Sequence, residues 1–170
     1  IVTGIDPKTG EKEVDFSLQP SREKTVTVCP NNAGGKNWMP SAYNPSSKLL
    51  FVPLMEICMD MIPVPADEKG FMTTGVRLTA RPLPGNDGKY GRLQAVNLEK
   101  LNIEWTHRQR APITSGVLTT AGGLVFAGDV DRYIIAFDQS NGKELWRMRL
   151  NDVASSAPIT YSANGKQYLA

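Results

Sequence analysis

Residues 116–148, GVLTTAGGLVFAGDVDRYIIAFDQSNGKELWRM, decide the fold class. Four short runs rich in β-branched and aromatic residues alternate there with turn signals such as Ala-Gly-Gly and Asn-Gly. Asn-Gly favours a tight hairpin, because both residues reach positive φ at little cost. The runs lie at residues 116–120, 124–128, 133–138 and 143–148. Four antiparallel strands in about 40 residues predict one blade of an all-β propeller.

An internal repeat extends this pattern beyond one blade. Residues 136–146 have the form A-x-D-x-x-x-G-x-x-x-W, and residues 95–105, which start 41 residues earlier, keep the alanine and the tryptophan. Residues 4–14 keep the aspartate and the glycine, with valine in the tryptophan position. A period of about 40 residues is a blade length. A β-sandwich is the rival all-β fold, but it leaves the matched positions of Trp105 and Trp146 unexplained.

The chain, 1–170, is therefore predicted to be one partial propeller that starts and stops inside blades. The predicted boundaries are 1–25 for the end of one blade, 26–110 for a blade with an insertion at about 58–90, 111–152 for a complete blade, and 153–170 for the start of the next. Strands are expected at 38–43 and 49–52, on either side of a turn. The insertion is inferred from its many Pro, Gly and Met residues.

Charge and composition exclude several classes of function. The formal net charge is +2, from 19 basic and 17 acidic residues without blocks of like sign, which gives no basis for binding nucleic acid or an anionic membrane. No apolar run approaches the roughly 20 residues of a membrane helix. Cys29 and Cys58 are compatible with reduced thiols, a disulfide or a reactive pair. A zinc site is disfavoured, because His107 is the single histidine.

A second motif makes the resemblance specific. Residues 29–45, CPNNAGGKNWMPSAYNP, resemble the C-P…G-G-x-N-W…Y-x-P segment of the pyrroloquinoline quinone (PQQ)-dependent alcohol dehydrogenases, and Cys58-Met59-Asp60 resembles their C-M-D. The repeat is similar to the tryptophan-docking motif of this eight-bladed quinoprotein family. The resemblance implies a C-terminal propeller fragment of a methanol- or ethanol-oxidising member. It also implies a Cys29–Cys58 disulfide, whose loop of about 30 residues would contribute roughly 3 kcal/mol.

The cofactor-binding residues implied by the resemblance are Asn37, Trp38 and Gly35. PQQ is a flat, anionic, oxygen-rich ring system, so its site needs hydrogen-bond donors and an apolar face beside the ring. Asn37 offers an amide, Trp38 an indole, and Gly35 close backbone approach. The alternative interpretation is a strand-entry turn with a structural tryptophan. Trp105 and Trp146 are predicted to cover the backbone of the following blade and to exclude water from the seam between blades, not to catalyse.

Other candidates receive structural interpretations. Lys36 should point away from Asn37 and be solvated, because side chains alternate along a strand. His107 is expected at a solvated surface, and Glu56 and Asp60 are expected to be structural acids without partners. Two further groups of residues have two possible roles each. The innermost strand of the next blade begins with Ser115, Gly116 and Val117, which could line the cofactor funnel. Four methionines are expected to fill gaps rather than to form a substrate entrance, namely Met55, Met59, Met61 and Met72.

The function implied by the resemblance is oxidation of a primary alcohol to an aldehyde. A carboxylate base, a Ca²⁺ or lanthanide ion and PQQ perform this reaction in the family, and electrons leave to cytochrome c or ubiquinone. The base and the metal ligands lie upstream of these residues, so the chain is assigned no catalytic residue and no metal ligand. Two alternatives are a PQQ-dependent sugar or polyol dehydrogenase, disfavoured by the paired cysteines, and a non-enzymatic propeller scaffold, which has no need of Asn37 and Trp38.

Three further expectations follow from the resemblance. A disulfide implies an oxidising compartment, the bacterial periplasm, with membrane association in some members. The fragment alone should be inactive, because a partial ring of blades cannot enclose a cofactor. Open strand edges and uncovered blade faces predict that the isolated fragment self-associates. The longer enzyme that would contain this chain is called the parent protein below.

Overall fold

The described residues form short antiparallel strands. A computed structural model describes residues 2–19, 21, 23–65 and 75–170. Their regular elements are a 3-10 turn, Phe16–Leu18, and the strands β1 (Val2–Ile5), β2 (Lys12–Val14), β3 (Val26–Val28), β4 (Ala42–Asn44), β5 (Leu49–Met55), β6 (Ile57–Pro63), β7 (Val76–Pro82), β8 (Gly91–Asn97), β9 (Asn102–Gln109), β10 (Ile113–Thr119), β11 (Leu124–Asp129), β12 (Tyr133–Asp138), β13 (Glu144–Arg149), β14 (Thr160–Ala163) and β15 (Lys166–Leu169). Among them there is no helix long and apolar enough to cross a membrane.

The chain divides into two compact units. One unit comprises Gly35–Glu56 and Asn86–Ala170, and the other comprises Ile1–Gly34 and Ile57–Gly85. The first of these, called the blade unit, contains two four-stranded antiparallel sheets with the strand orders β4-β5-β8-β9 and β10-β11-β12-β13. A hairpin of β14 and β15 follows them. Sequential antiparallel sheets of four strands are propeller blades, which confirms the predicted fold class.

The core of the blade unit consists of residues from both four-stranded sheets. Strand β8 alternates buried and half-buried residues, so Leu93 and Ala95 point to one face, as the period of two requires. Strand β12 has four consecutive buried residues, which is typical of a strand covered on both faces. The shared cluster comprises Leu49, Phe51, Leu93, Ala95, Trp105, Ile113, Val117, Val125, Ala127, Ile135 and Phe137.

Trp105 joins the two blades as the repeat predicts. Its ring is 8% exposed, and its Nε1–H donates to the backbone oxygen of Gln139 at 2.8 Å. The ring covers Gly142, where an added Cβ would lie 2.5 Å from Trp105 Cε3. The prediction that this tryptophan covers the backbone of the following blade is confirmed. Trp146, at the matching position of the next sheet, is 45% exposed.

The other unit, called the insertion unit, is held by a disulfide. Its three-stranded antiparallel sheet has the order β3-β6-β7, and β1 pairs with β2 as a separate hairpin. Cys29, next to the end of β3, is bonded to Cys58 on β6, and Cys58 is fully buried. The bond implied by the resemblance is therefore present. Val26, Val28 and Met59 form the small core beside it.

His107 differs from its predicted solvated position. Its ring lies edge-on to Phe137 of the next blade, with the ring centroids 4.8 Å apart. Its Nε2 is buried and has no hydrogen-bond partner within the described residues. This ring contact places the side chain in the seam between the two blades. Burial lowers the pKa of His107, and the nearby Glu144 carboxylate opposes part of that effect.

The buried imidazole of His107 predicts that the stability of the seam between the blades depends on pH. The folded-state pKa of His107 is depressed below the ordinary 6.5, so the unfolded chain binds a proton more readily. The contribution of neutral His107 is therefore present above about pH 6.5 and is lost as the pH falls towards the folded-state pKa. His107→Phe keeps a ring against Phe137 without the titrating group. We expect the thermal midpoint of His107→Phe minus that of the natural sequence to become more positive as the pH is lowered from 7.5 to 5. Thermal midpoints that change with pH in parallel for the two proteins would contradict the prediction.

Candidate cofactor-binding site

The segment containing Asn37 and Trp38 is anchored on both sides. The backbone oxygen of Gly35 accepts a hydrogen bond from the N–H of Met55 at 2.8 Å, at the end of β5. The backbone oxygen of Pro40 accepts one from the N–H of Val117 in β10 at 3.0 Å. Between these anchors the Met39 side chain is 3% exposed. The segment is thus a short bridge between two blades, with fixed ends.

Lys36 turns back onto this bridge. Its ammonium donates to the backbone oxygens of Asn37, at 2.6 Å, and of Met39. The side chain is exposed, as predicted, but its charged end binds the bridge and does not extend freely into solvent. The predicted strand at 38–43 is wrong, since β4 begins at Ala42. Two features keep this segment out of a strand. Lys36 occupies backbone oxygens that would have to accept hydrogen bonds from a neighbouring strand, and Pro40 has no N–H to donate to one.

Asn37 and Trp38 protrude from the anchored bridge. The Oδ1 atom of Asn37 accepts the backbone N–H of Trp38 at 2.7 Å, which uses the acceptor end of the amide. Its Nδ2 group donates to no protein atom in the part of the chain that the structure describes, so it remains an available donor. Trp38 as a whole residue is 61% exposed, against 8% for Trp105. This contrast opposes the interpretation of Trp38 as a structural core tryptophan.

Gly35 adopts a backbone conformation that residues other than glycine can also adopt. An added Cβ would lie 3.9 Å from the backbone oxygen of Met55, which is ordinary van der Waals contact. Packing in the blade unit therefore does not require glycine at this position. The preceding Gly34 has φ +77°, a conformation for which glycine is suited. The N–H of Gly34 donates to the backbone oxygen of Asn31 at 2.8 Å.

The two acids predicted to lack partners both have them. Glu56 is 8% exposed, and its carboxylate accepts hydrogen bonds from Arg92 at 2.9 Å and from Arg108 at 2.6 Å. In the insertion unit, Asp60 accepts from Thr27 and Arg81, both at 2.6 Å, and these bonds lower its pKa. Both acids are structural, as expected, but the absence of partners is wrong. Each ion pair depends on strand pairing, because the arginines lie on neighbouring strands.

The hydroxyl of Ser115 is buried and hydrogen-bonded inside the blade, and its place in a cofactor funnel stays a prediction. Its side chain is 1% exposed, donating to the backbone oxygen of Gly116 at 2.6 Å and accepting the N–H of Gly128 at 2.7 Å. Gly116 is also buried, with the Ala157 side chain packed directly over it, and Val117 belongs to the core of the blade unit. Met59 and Met61 pack in the core of the insertion unit, as gap-filling predicts. Met72 lies outside the described residues.

The described residues contain no group of three or more His, Cys, Asp or Glu side chains that could hold a metal ion. The remaining chemistry of the bridge is an outward amide donor and an exposed indole face. This combination suits a planar, oxygen-rich anion better than a metal or a nucleophile.

Comparison with known proteins gives the family. The family model described as "Glucose/ethanol/alcohol dehydrogenase, beta-propeller domain", a PQQ family, matches residues 8–169. The chain belongs to this PQQ β-propeller family. It is 34% identical to the quinoprotein alcohol dehydrogenase PedH of Pseudomonas putida, over 99% of this chain and 29% of that protein. It is 37% identical to the quinoprotein ethanol dehydrogenase of Pseudomonas aeruginosa, over 97% of this chain and 27% of that protein.

A solved structure agrees with this assignment. The europium-containing methanol dehydrogenase superposes with a TM-score of 0.82 at 27% identity, over 99% of this chain and 30% of that one. The chain thus spans less than a third of the length of these PQQ relatives. The two four-stranded sheets of the blade unit agree with the propeller fold of the matched family, and the residues of the bridge fit the chemistry of the cofactor after which the family is named.

Proposed function

We propose that the parent protein is a PQQ-dependent dehydrogenase that oxidises primary alcohols to aldehydes, and that this chain supplies one wall of its cofactor site. The observation that carries the proposal is the anchored bridge, which presents the amide of Asn37 and the ring of Trp38 outward, beside Gly35. The names of two relatives, an alcohol dehydrogenase and an ethanol dehydrogenase, support the substrate class. PQQ, when bound, accepts the electrons removed from the alcohol.

The roles of the chain's own residues follow from their geometry. Asn37 Nδ2 would donate a hydrogen bond to an oxygen of PQQ, while its Oδ1 remains bound to the Trp38 N–H. The Trp38 ring would lie beside the apolar face of the cofactor and exclude water from it. Gly35 would allow the backbone to approach the cofactor edge. The proposed Ca²⁺ or lanthanide ion takes its ligands outside this chain; the lanthanide alternative is supported by the europium in the similar methanol dehydrogenase.

The remaining proposals concern the surroundings of the enzyme. We propose cytochrome c or ubiquinone as the electron acceptor, following the family resemblance. The Cys29–Cys58 disulfide supports a periplasmic location, because disulfides persist in oxidising compartments. If ubiquinone is the electron acceptor, we expect the enzyme to be associated with the membrane.

The test is reconstitution of the parent protein. Apo-protein is mixed with PQQ and either Ca²⁺ or La³⁺, and dye-linked oxidation is measured with methanol, ethanol and glucose. We expect PQQ absorbance to remain with the protein after gel filtration and the alcohols to be oxidised. Oxidation of glucose alone would establish the sugar dehydrogenase alternative. If the protein retains no PQQ and oxidises none of the substrates, the proposal is refuted and the non-enzymatic scaffold is the remaining alternative.

The isolated chain offers a separate prediction about self-association. Large apolar side chains are exposed on or next to the last strands of the blade unit, among them Trp146 at 45%, Ile159 at 58% and Tyr161 at 50%. Apolar surface of this kind promotes association in water. Light scattering coupled to gel filtration should therefore give a mass above the 18.6 kDa of one chain. A monodisperse monomer at micromolar concentration would contradict the expectation.

A further inference from the structure

The peptide group between Asn37 and Trp38 is held at both ends. Its N–H, which belongs to Trp38, donates to Oδ1 of Asn37 at 2.7 Å. Its oxygen, which belongs to Asn37, accepts from the ammonium of Lys36 at 2.6 Å. One lysine and one asparagine therefore fix a single peptide plane. The plane in turn fixes the orientation of the asparagine amide, because Oδ1 has to face the Trp38 N–H.

Lys36 also closes the turn beyond Trp38. Its ammonium donates to the backbone oxygen of Met39, whose own side chain is buried. Two carbonyl oxygens, one on each side of Trp38, thus point to the same positive charge. Hydrogen bonds from a charged donor are stronger than those between neutral groups, and a lysine ammonium offers three such donors.

We propose that Lys36 is a positioning residue that aims the Nδ2 donor of Asn37 and the ring of Trp38 at the cofactor; this inference rests on the proposed function. Without the ammonium, the Asn37–Trp38 peptide loses the hydrogen bond at its oxygen, so its rotation is opposed only by the bond at its N–H. Rotation breaks the bond from the Trp38 N–H to Oδ1, and the amide then loses the constraint that turns Nδ2 outward. Lys36 acts on the cofactor through Asn37, not by touching it.

The test replaces Lys36 by methionine, which keeps an unbranched stem of similar length and removes the charge. In the parent protein we expect the Trp38 amide to exchange with deuterium about tenfold faster, because its acceptor is no longer oriented. The amides of β12 serve as an internal reference and should exchange at an unchanged rate. PQQ affinity, measured by retained absorbance in a titration, should fall about tenfold. Lys100→Met is the matched control, since it removes the same charge from an exposed surface pair with Glu104.

A direct electrostatic role is separated from positioning by salt. If the ammonium merely attracted the anionic cofactor, the affinity difference between Lys36→Met and the natural sequence would shrink at 0.5 M salt, where charges are screened beyond about 4 Å. Loss of the difference in salt, or weaker binding without faster Trp38 exchange, would overturn the positioning role. Faster exchange with unchanged PQQ affinity would overturn it as well. If the natural parent protein binds no PQQ, the proposed function fails, and the exchange rates alone then decide whether Lys36 fixes the turn.

Discussion

Replacing Gly142 by alanine is expected to weaken the seam between the two blades by about 3 kcal/mol. Two costs combine in this variant. Gly142 has φ +72°, so an L side chain there carries the left-handed penalty of roughly 1 to 2 kcal/mol. The new Cβ would also lie 2.5 Å from Cε3 of Trp105, and overpacking of this kind costs about 1 to 3 kcal/mol. The indole cannot retreat without breaking its bond to the Gln139 oxygen.

Gly165→Ala separates the two costs. Gly165 has nearly the same conformation, with φ +74°, but no atom lies within 4 Å of an added Cβ. This variant should lose only the backbone penalty. Native-state hydrogen exchange in the parent protein measures local stability, with the β9 and β12 amides reporting on Gly142→Ala and the β14 and β15 amides on Gly165→Ala. Equal effects of the two alanines would show that Trp105 does not pack tightly on Gly142, and the predicted docking would then fail.

The fold was predictable because its strongest signals are local. Tyr133–Asp138 is a run of apolar residues between two turns, and the strand β12 has those bounds. The matched positions of Trp105 and Trp146 in the internal repeat predicted that each ring covers the backbone of the following blade, and the contact of Trp105 with Gly142 is such a contact. Turn chemistry and strand length act over a few residues, so single segments carry enough information to place them.

Pairing between distant strands was not predictable in the same way. Strand β6 leaves the blade at Ile57 and pairs with β3, about 30 residues earlier in the chain. The partners of Glu56 depend on the register that places Arg92 opposite Arg108 on β8 and β9. Alternation along each strand could have suggested that these two arginines share a face. Nothing in the local pattern shows that Glu56 points to the same face, because it lies just beyond the end of β5.

The sequence allowed us to predict which residue types form the candidate site, but not the directions in which their side chains point. The sequence indicates an amide, an indole and two glycines in a row, and the family resemblance implies a cofactor. The expectation for Lys36 assumed a regular strand, and the short bridge from Gly35 to Pro40 is not one. Its shape depends on hydrogen bonds to Met55 and Val117, which are distant in sequence. Interactions of this range decide where Asn37 and Trp38 point.

Asn37→Asp is expected to weaken PQQ binding by the parent protein about a hundredfold. The variant keeps an oxygen that accepts the Trp38 N–H, so the turn should be preserved. It replaces the outward Nδ2 donor by a carboxylate oxygen, which cannot donate and which repels an anionic cofactor. Loss of a donor leaves the facing oxygen of PQQ unpaired, and like charges in a site of low polarity cost several kcal/mol.

Asn141→Asp is the matched control for this chemical change. Asn141 Oδ1 also accepts a backbone N–H, that of Lys143 at 2.8 Å, but it lies in an exposed turn of the blade unit. This control substitution should leave PQQ affinity unchanged. Because protonation removes the charge of the introduced carboxylate, the affinity of Asn37→Asp should recover partly below about pH 4, where a carboxyl group can donate. Binding as tight as that of the natural sequence at pH 7 would show that the amide faces no oxygen of the cofactor, and the proposed role of the bridge would have to be abandoned.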